Sequence, residues 1–285
     1  MNTPWHTYNR EAMIKWYNEN AKTYDEQTFV KTDDMYGGDS YRIELVAQLL
    51  AKHKPAKTLD IGCGTAQPMM RFLKEGYDVK GFDLSSGMIE QAKAKLKAAG
   101  FDPNNANVGD LLDPKTVETY GKESFDCIVA NGVFPYIQDD ATGHKHVAQM
   151  LKPGGLYIGA YCNELFDLVT FNRFTVKFHQ KNFVDPLPVS QDVKNKIMDG
   201  IRGLMTRPDD PKSIPGGARD EIYIGSHNPM TIGDTLQSFG LVQEDMCFYK
   251  FHAFPPLLKG TDATLSQTFM EQSRSKEVKD ARDWR

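Results

Sequence analysis

Lys57 to Ile61 is a short apolar run that stops on Gly62-Cys63-Gly64, and a helical pattern takes over from Gln67 to Lys74. This junction leaves few folds open. Glycines on either side of the turn let the backbone reverse tightly and come close to a ligand, and the first amides of the helix point into the same space. A second apolar run, Tyr77 to Phe82, follows, and Asp83 stands at its end, twenty-one residues after Gly62. A strand, a tight turn, a helix and a second strand at this spacing form a βαβ unit, which requires a parallel sheet covered by helices.

The rhythm continues on both sides of the junction. Ala12, Met13, Trp16 and Tyr17 make a short helical stripe, and Gly37-Gly38 interrupts it. Asp39-Ser40 is suited to cap a second helix through Ile43, Leu45, Val46, Leu49 and Leu50, which Pro55 stops. Ser85 or Ser86 can cap a helix from Met88 to Ala99, and Ala106 to Val108 reads as a third strand ending on Gly109-Asp110. Phe125 to Ala130 is a buried strand, and Leu156 to Tyr161 another, after a Lys152-Pro153-Gly154-Gly155 turn. Residues 162–228 break the pattern with many phenylalanines and several prolines and read as an insertion, whose Phe166–Phe178 stripe should form its own core. A helix over Thr231 to Phe239 and a strand over about Val242 to Phe251 return to the α/β order. The fold class is therefore α/β, a Rossmann-like, doubly wound, mostly parallel sheet with an inserted cap. Its parts are an N-terminal helical lid (1–54), a cofactor-binding core (55–161), the cap (162–228), the return to the core (229–256) and a polar C-terminal segment (257–285).

Charge and cysteine content narrow the function classes. Lys and Arg number 34 against 38 Asp and Glu, a net charge of −4, which gives no electrostatic reason to expect a nucleic acid. No run approaches eighteen apolar residues, and the first twenty lack the basic-then-apolar order of a signal peptide. Cys63, Cys127, Cys162 and Cys247 are widely spaced and make neither a disulfide framework nor a metal-ligand set, so reduced thiols in the cytoplasm are expected.

The ligand can be read from the acids around the turn. A nicotinamide fingerprint calls for a third glycine where this chain has Gln67. Asp60, immediately before the turn, would repel a pyrophosphate but suits the ammonium of an amino acid, while Asp83 can accept both hydroxyls of a ribose. Together they point to an adenosine joined to an amino acid.

At these residues the sequence resembles the class I S-adenosylmethionine-dependent methyltransferases. The likeness covers about residues 57–161, with a weaker match at 230–251. Asp60-Ile61-Gly62-Cys63-Gly64-Thr65 resembles the family's glycine-rich loop, and Gly81-Phe82-Asp83-Leu84-Ser85 its ribose-binding strand end. Gly109-Asp110-Leu111 is similar to the third strand end, Phe125 to Asn131 to the fourth strand, and Leu151 to Gly155 to the turn before the fifth. The resemblance implies S-adenosylmethionine as cofactor and S-adenosylhomocysteine as product. It also implies a ribose role for Asp83, adenine packing by Met88, an adenine-amino contact for Asp110, and passage of the methionine end beside Asn131 and Gly132. Cys63, Thr65, Leu84 and Leu111 belong to the same set, and Tyr24, with Tyr17 and Asp25, lies in a segment that closes over the cofactor in relatives. A tyrosine face attracts a sulfonium.

The chain departs from the family in three places. Ala66-Gln67 stands where a further small residue is common, Val133 to Ile137 stands where many relatives carry a histidine or tryptophan, and no segment reads as an antiparallel seventh strand. Tyr136, His227 and His252 are the candidates for catalysis, while His144 and His146 read as surface residues. Arg219 and Asp220, before the run Glu221 to Ile224, can line an acceptor pocket. Asn131-Gly132-Val133-Phe134 replaces the Asn-Pro-Pro-Tyr of exocyclic-amine DNA methyltransferases. The expected activity is methyl transfer to a small molecule, foremost an oxygen of a sugar or natural product, with no metal, nucleic acid or membrane partner. Alternatives are N-methylation of a small amine, an aminopropyltransferase-like enzyme for which Asp139-Asp140 is the nearest acidic pair, and a non-catalytic cofactor-binding module.

Overall fold

The computed structural model describes residues 10–30, 38–205 and 224–249. Five parallel strands are present among them: β1 (Lys57–Ile61), β2 (Asp78–Asp83), β3 (Ala106–Val108), β4 (Phe125–Asn131) and β5 (Leu151–Ala160). Their order is β3-β2-β1-β4-β5, so the order reverses between β1 and β4, the kind of switch point at whose carboxyl edge open α/β sheets bind ligands. The α/β class and the Rossmann-like sheet expected from the sequence are therefore present.

Alternate residues of each strand feed opposite cores. On β4, Cys127 and Val129 join Met69, Phe72, Ile89 and Leu96 on one face, while Ile128 and Ala130 join Phe82, Phe134, Val147 and Met150 on the other. The first face is covered by α2 (Gly38–His53), α3 (Gln67–Lys74) and α4 (Ser86–Ala98), the second by α5 (Pro114–Tyr120) and α6 (Asp140–Met150). A sheet buried on both faces explains why its strands are nearly continuous apolar runs.

Local chemistry sets the helix ends. The Ser85 hydroxyl accepts from Met88 N at 3.1 Å, Asp113 from Lys115 N at 2.9 Å and Asp139 from Thr142 N at 3.0 Å, each a side-chain N-cap. α2 opens at Gly38, so Asp39 and Ser40 fall inside its first turn rather than ahead of it. The expected turn at Lys152–Gly155 is taken up within β5 instead. Leu151 pairs with Phe125 and Leu156 with Cys127, so a bulge with Gly154 at φ 73° absorbs the extra residues.

The N-terminal helix α1 (Arg10–Asn20) docks on the start of α4 through one side chain. Asn18 Oδ1 accepts from Gly87 N at 2.9 Å and from the Ser85 hydroxyl at 2.7 Å, while a Cβ on Gly87 would come within 3.0 Å of Asn18 Cα. Asn18→Ala should therefore cost about 1 kcal/mol of stability, as an N-cap loss does. Chemical denaturation checks this, and an unchanged midpoint would mean the contact contributes nothing.

In the inserted segment lie α7 (Glu164–Asp167), α8 (Arg173–His179), a π-turn (Gln180–Val184) and α9 (Gln191–Met205). Its core differs from expectation. Val176, Val184 and Met198 form it and Phe178 is buried, while Phe171, ahead of α8, and Phe183, in the π-turn after it, are exposed. The later helix is α10 (Ile232–Gln237), with Thr231 at its N-cap position but no side-chain cap bond, and residues 242–249 form no strand. No helix among the described residues is long and apolar enough to cross a membrane.

Candidate functional site

The loop after β1 is folded against the end of β2. Gly62 N and Cys63 N both donate to the Phe82 carbonyl, at 2.8 and 3.1 Å. Gly62 has φ 69°, and a Cβ there would sit 2.4 Å from Val133 Cγ2, so this position demands glycine on conformation and on space. Gly64 N donates to Asp83 Oδ2 at 3.0 Å and Ser85 N to Asp83 Oδ1 at 2.8 Å, which fixes the carboxylate with lone pairs still to offer. Burial pushes the Asp83 carboxyl up, and the two amide donors pull against it.

Asp60 lies beneath the same loop and is 2% exposed. Its Oδ2 is buried without a hydrogen-bond partner. Burial first, then the charge of Asp83, push its carboxyl up to about 7, with Arg42 pulling the other way. Arg42 comes from α2, and a Cβ on Gly132 (φ 84°) would lie 2.9 Å from Arg42 Nη1. Both polar atoms of the Asn131 side chain, at the end of β4, are also buried without partners. An acid, a base and an amide thus converge where β1 and β4 end. Arg42 was missed from the sequence, although it lies in line with Val46 and Leu50 at a spacing of four on the buried face of α2.

The N-terminal segment adds a second layer. Tyr17 lies 6.0 Å from Tyr24 and 5.9 Å, edge-on, from Tyr136, ring centre to ring centre. Asp25 accepts from the Thr65 hydroxyl and pairs with Lys95. Arg10 pairs with Asp110, whose other oxygen accepts from Leu112 N at 2.9 Å. Met88 is fully buried, Cys63 is buried against Gly81, Leu84 is partly buried, and the Leu111 side chain packs in the second-face core. Burial holds the Cys63 thiol well above its usual range, so it stays protonated.

A separate polar group occupies the β4–β5 side. His227 Nε2 lies 2.8 Å from Asp140 Oδ2, and the His227 ring is 4.8 Å, edge-on, from Tyr161. His144 stacks on Phe134 at 4.0 Å, with Nε2 2.9 Å from the Tyr161 hydroxyl, and His146 Nδ1 lies 2.7 Å from the Leu111 carbonyl. His144 and His146 are therefore buried, not surface residues. Helical spacing alone does not distinguish a histidine facing a strand from one facing water. His252, Arg219 and Asp220 lie outside the described residues.

Residues 59–157 match the family model described as a methyltransferase domain. This stretch is a methyltransferase domain. This domain is 30% identical over 149 residues to carboxy-S-adenosyl-L-methionine synthase of Campylobacter curvus, covering 48% of this chain and 61% of the relative. It is 30% identical over 151 residues to malonyl-[acyl-carrier protein] O-methyltransferase of Priestia megaterium, covering 52% and 50%. The chain thus spans about half to three-fifths of these curated relatives. In fold it resembles the magnesium protoporphyrin IX methyltransferase of Synechocystis PCC 6803, solved with bound SAH. That match has a TM-score of 0.55 and 15% identity, and covers 85% of this chain and 94% of that one. In the methyltransferase loop Ala66 adopts φ 63°, a left-handed residue at the position where the sequence departs from the usual small-residue pattern.

Proposed function

We propose that this chain binds S-adenosylmethionine and transfers its methyl group to a small-molecule acceptor, foremost an oxygen of a sugar or natural product. The observation that carries the reading is the pairing of a buried, unpartnered Asp60 oxygen with an Asp83 carboxylate clamped by Gly64 and Ser85, at the sheet's switch point. An ammonium suits the first and a ribose diol the second. Arg42 offers a cation to the amino acid's carboxylate, and Asn131 and Gly132 border the same tail. Met88, Leu84, Asp110 and Leu111 lie toward the adenine, with Cys63, Thr65 and Tyr24 shaping the loop and its cover.

Bound there, S-adenosylmethionine would supply an electrophilic methyl carbon to the acceptor oxygen, and the electron pair of the broken methyl–sulfur bond would stay on sulfur. The protein's part is alignment, since holding reacting atoms about 3–3.5 Å apart removes much of the entropic barrier. Within residues 1–54 the segment ahead of α2 acts as the lid that excludes water, α2 itself being packed on the sheet, and 162–228 act as the cap that selects the acceptor. An aminopropyl-transferring reading loses support, because Asp139 caps α6 and Asp140 pairs with His227.

Calorimetry with S-adenosylmethionine and S-adenosylhomocysteine tests the cofactor. Asp83→Ala should weaken binding by about 1–3 kcal/mol through lost ribose hydrogen bonds. No heat with either nucleoside sinks the reading, and unchanged affinity removes Asp83 from it. Labelled methyl offered with a small-molecule extract then separates an enzyme from a binding module, which would bind the cofactor yet label nothing.

A further inference from the structure

We infer that His227 is the base that takes the proton from an acceptor hydroxyl, through Nδ1, and that Asp140 is the positioning residue that readies it. The inference rests on the methyl-transfer reading above and adds the acceptor's chemistry: a hydroxyl, because an amine arriving neutral needs no such base.

The geometry assigns the tautomer. An ionised carboxylate only accepts hydrogen bonds, so His227 Nε2, 2.8 Å from Asp140 Oδ2, carries the ring hydrogen. In a neutral imidazole the lone pair then lies on Nδ1. That atom is buried and has no hydrogen-bond partner, and Asp140 Oδ1 and His144 Nδ1 are likewise buried and unpartnered. Unpaired buried polar atoms are costly, and three in one neighbourhood call for a polar visitor. The groups facing them favour His227 as the proton's destination. Burial holds His144 down to about 4, so it stays neutral, and burial holds the Tyr157 and Tyr161 phenols above their usual range, with their hydroxyls 2.8 Å apart. Glu164, next to His227 through the backbone, is paired with Lys181.

Placement agrees with the chemistry. His227 N donates to the Cys162 carbonyl at 2.8 Å and its own carbonyl accepts from Glu164 N at 2.9 Å, which seats it just past β5. Gly225 N donates to the Pro135 carbonyl at 2.6 Å, tying the same segment to the turn after β4. In that turn Phe134 faces His144, while Tyr136 meets Tyr17 of the N-terminal helix. The dyad is thus tied through the turn after β4 to Tyr136 and, across it, to Tyr17 of the N-terminal helix. In the step, the hydroxyl proton moves to His227 Nδ1, and the O–H electron pair stays on oxygen and becomes the new C–O bond. Asp140 offsets the imidazolium, which later releases its proton to water.

The test uses full-length protein with ¹⁵N-labelled imidazoles, the His227 signals being identified by their loss in His227→Gln. Neutral wild-type protein should show His227 as the Nε2–H tautomer. Asp140→Asn, whose amide can also donate, should shift it toward Nδ1–H. With a small-molecule extract as probe, wild-type protein should label base-stable methyl ethers. His227→Gln should slow this about 10²–10⁴-fold while calorimetric affinity for S-adenosylmethionine stays within about twofold. An Nδ1–H tautomer in the wild type, label appearing in methylamines, or ether labelling at full rate in His227→Gln would overturn the proposal. Wild-type protein that binds the cofactor and labels nothing overturns the methyl-transfer reading instead, and the nitrogen shifts still decide the dyad.

Discussion

Asp60→Asn should weaken S-adenosylmethionine binding by about 2–5 kcal/mol, the usual cost of truncating one partner of a buried charge pair. The wild-type protein should also show why. Its Asp60 carboxyl sits at about 7, raised chiefly by burial and then by Asp83, so below that pH the side chain holds a proton. A cationic ammonium favours the ionised form, so binding the cofactor at pH 6 must expel that proton. Affinity should therefore fall as pH drops below about 7, by up to about tenfold per unit for one proton, and level off above it. The stability of the free protein runs the other way. A carboxyl raised above its unfolded value adds nothing below about pH 4, where both states hold the proton. It destabilises the fold increasingly from there to about 7, and that cost is fully present above. Calorimetry at pH 5.5–8, in buffers of different ionisation enthalpy, reads both the affinity and the released proton. Asp60→Asn, which has no proton to lose, should show a flatter profile and a more stable free protein at pH 8. A wild-type affinity that ignores pH across this range would take Asp60 away from the ammonium.

What the sequence disclosed depended on distance along the chain. The limits of β1, α3 and β3 were readable because each rests on local rules: a buried run, a glycine turn, a proline in the first helical turn. Asp60, Gly62 and Asp83 were readable for the same reason, since one βαβ unit fixes their relation. Partnerships made across the fold were not. Nothing near His227 in the sequence names Asp140, 87 positions away, and nothing near Asp110 names Arg10, 100 positions away. The strand expected over Val242 to Phe251 fails for a related reason. Alternating apolar residues make a strand only where an edge accepts them, and the described part, 242–249, pairs with none. His144 and His146 escaped because a buried neutral histidine looks, by spacing, like an exposed one.

Phe134→Ala should cost about 3–5 kcal/mol of stability, the range for emptying a buried aromatic site. The ring is fully buried, stacks on His144 at 4.0 Å and lies 5.3 Å from the Tyr161 ring. Collapse around the cavity is limited by what surrounds it. A Cβ on Gly143 would already meet the ring at 3.0 Å, so α6 is as near as its backbone allows, and β5 is held in the sheet by its pairing with β4. Urea unfolding measures the loss, and a value under about 1 kcal/mol would mean the site closes over and Phe134 is not a keystone of the second-face core. Phe134→Leu separates packing from stacking. It keeps most of the apolar volume, so it should cost less than the alanine change, yet it removes the flat surface that fixes the His144 ring against Tyr161. Since Phe134, Pro135 and Tyr136 are consecutive, and Pro135 holds the His227 segment while Tyr136 meets the lid, the leucine protein should stay folded. It should still bind S-adenosylmethionine more weakly than wild type. Equal affinity in a folded Phe134→Leu protein would show that this turn does not couple the His144–Tyr161–His227 group to the cofactor.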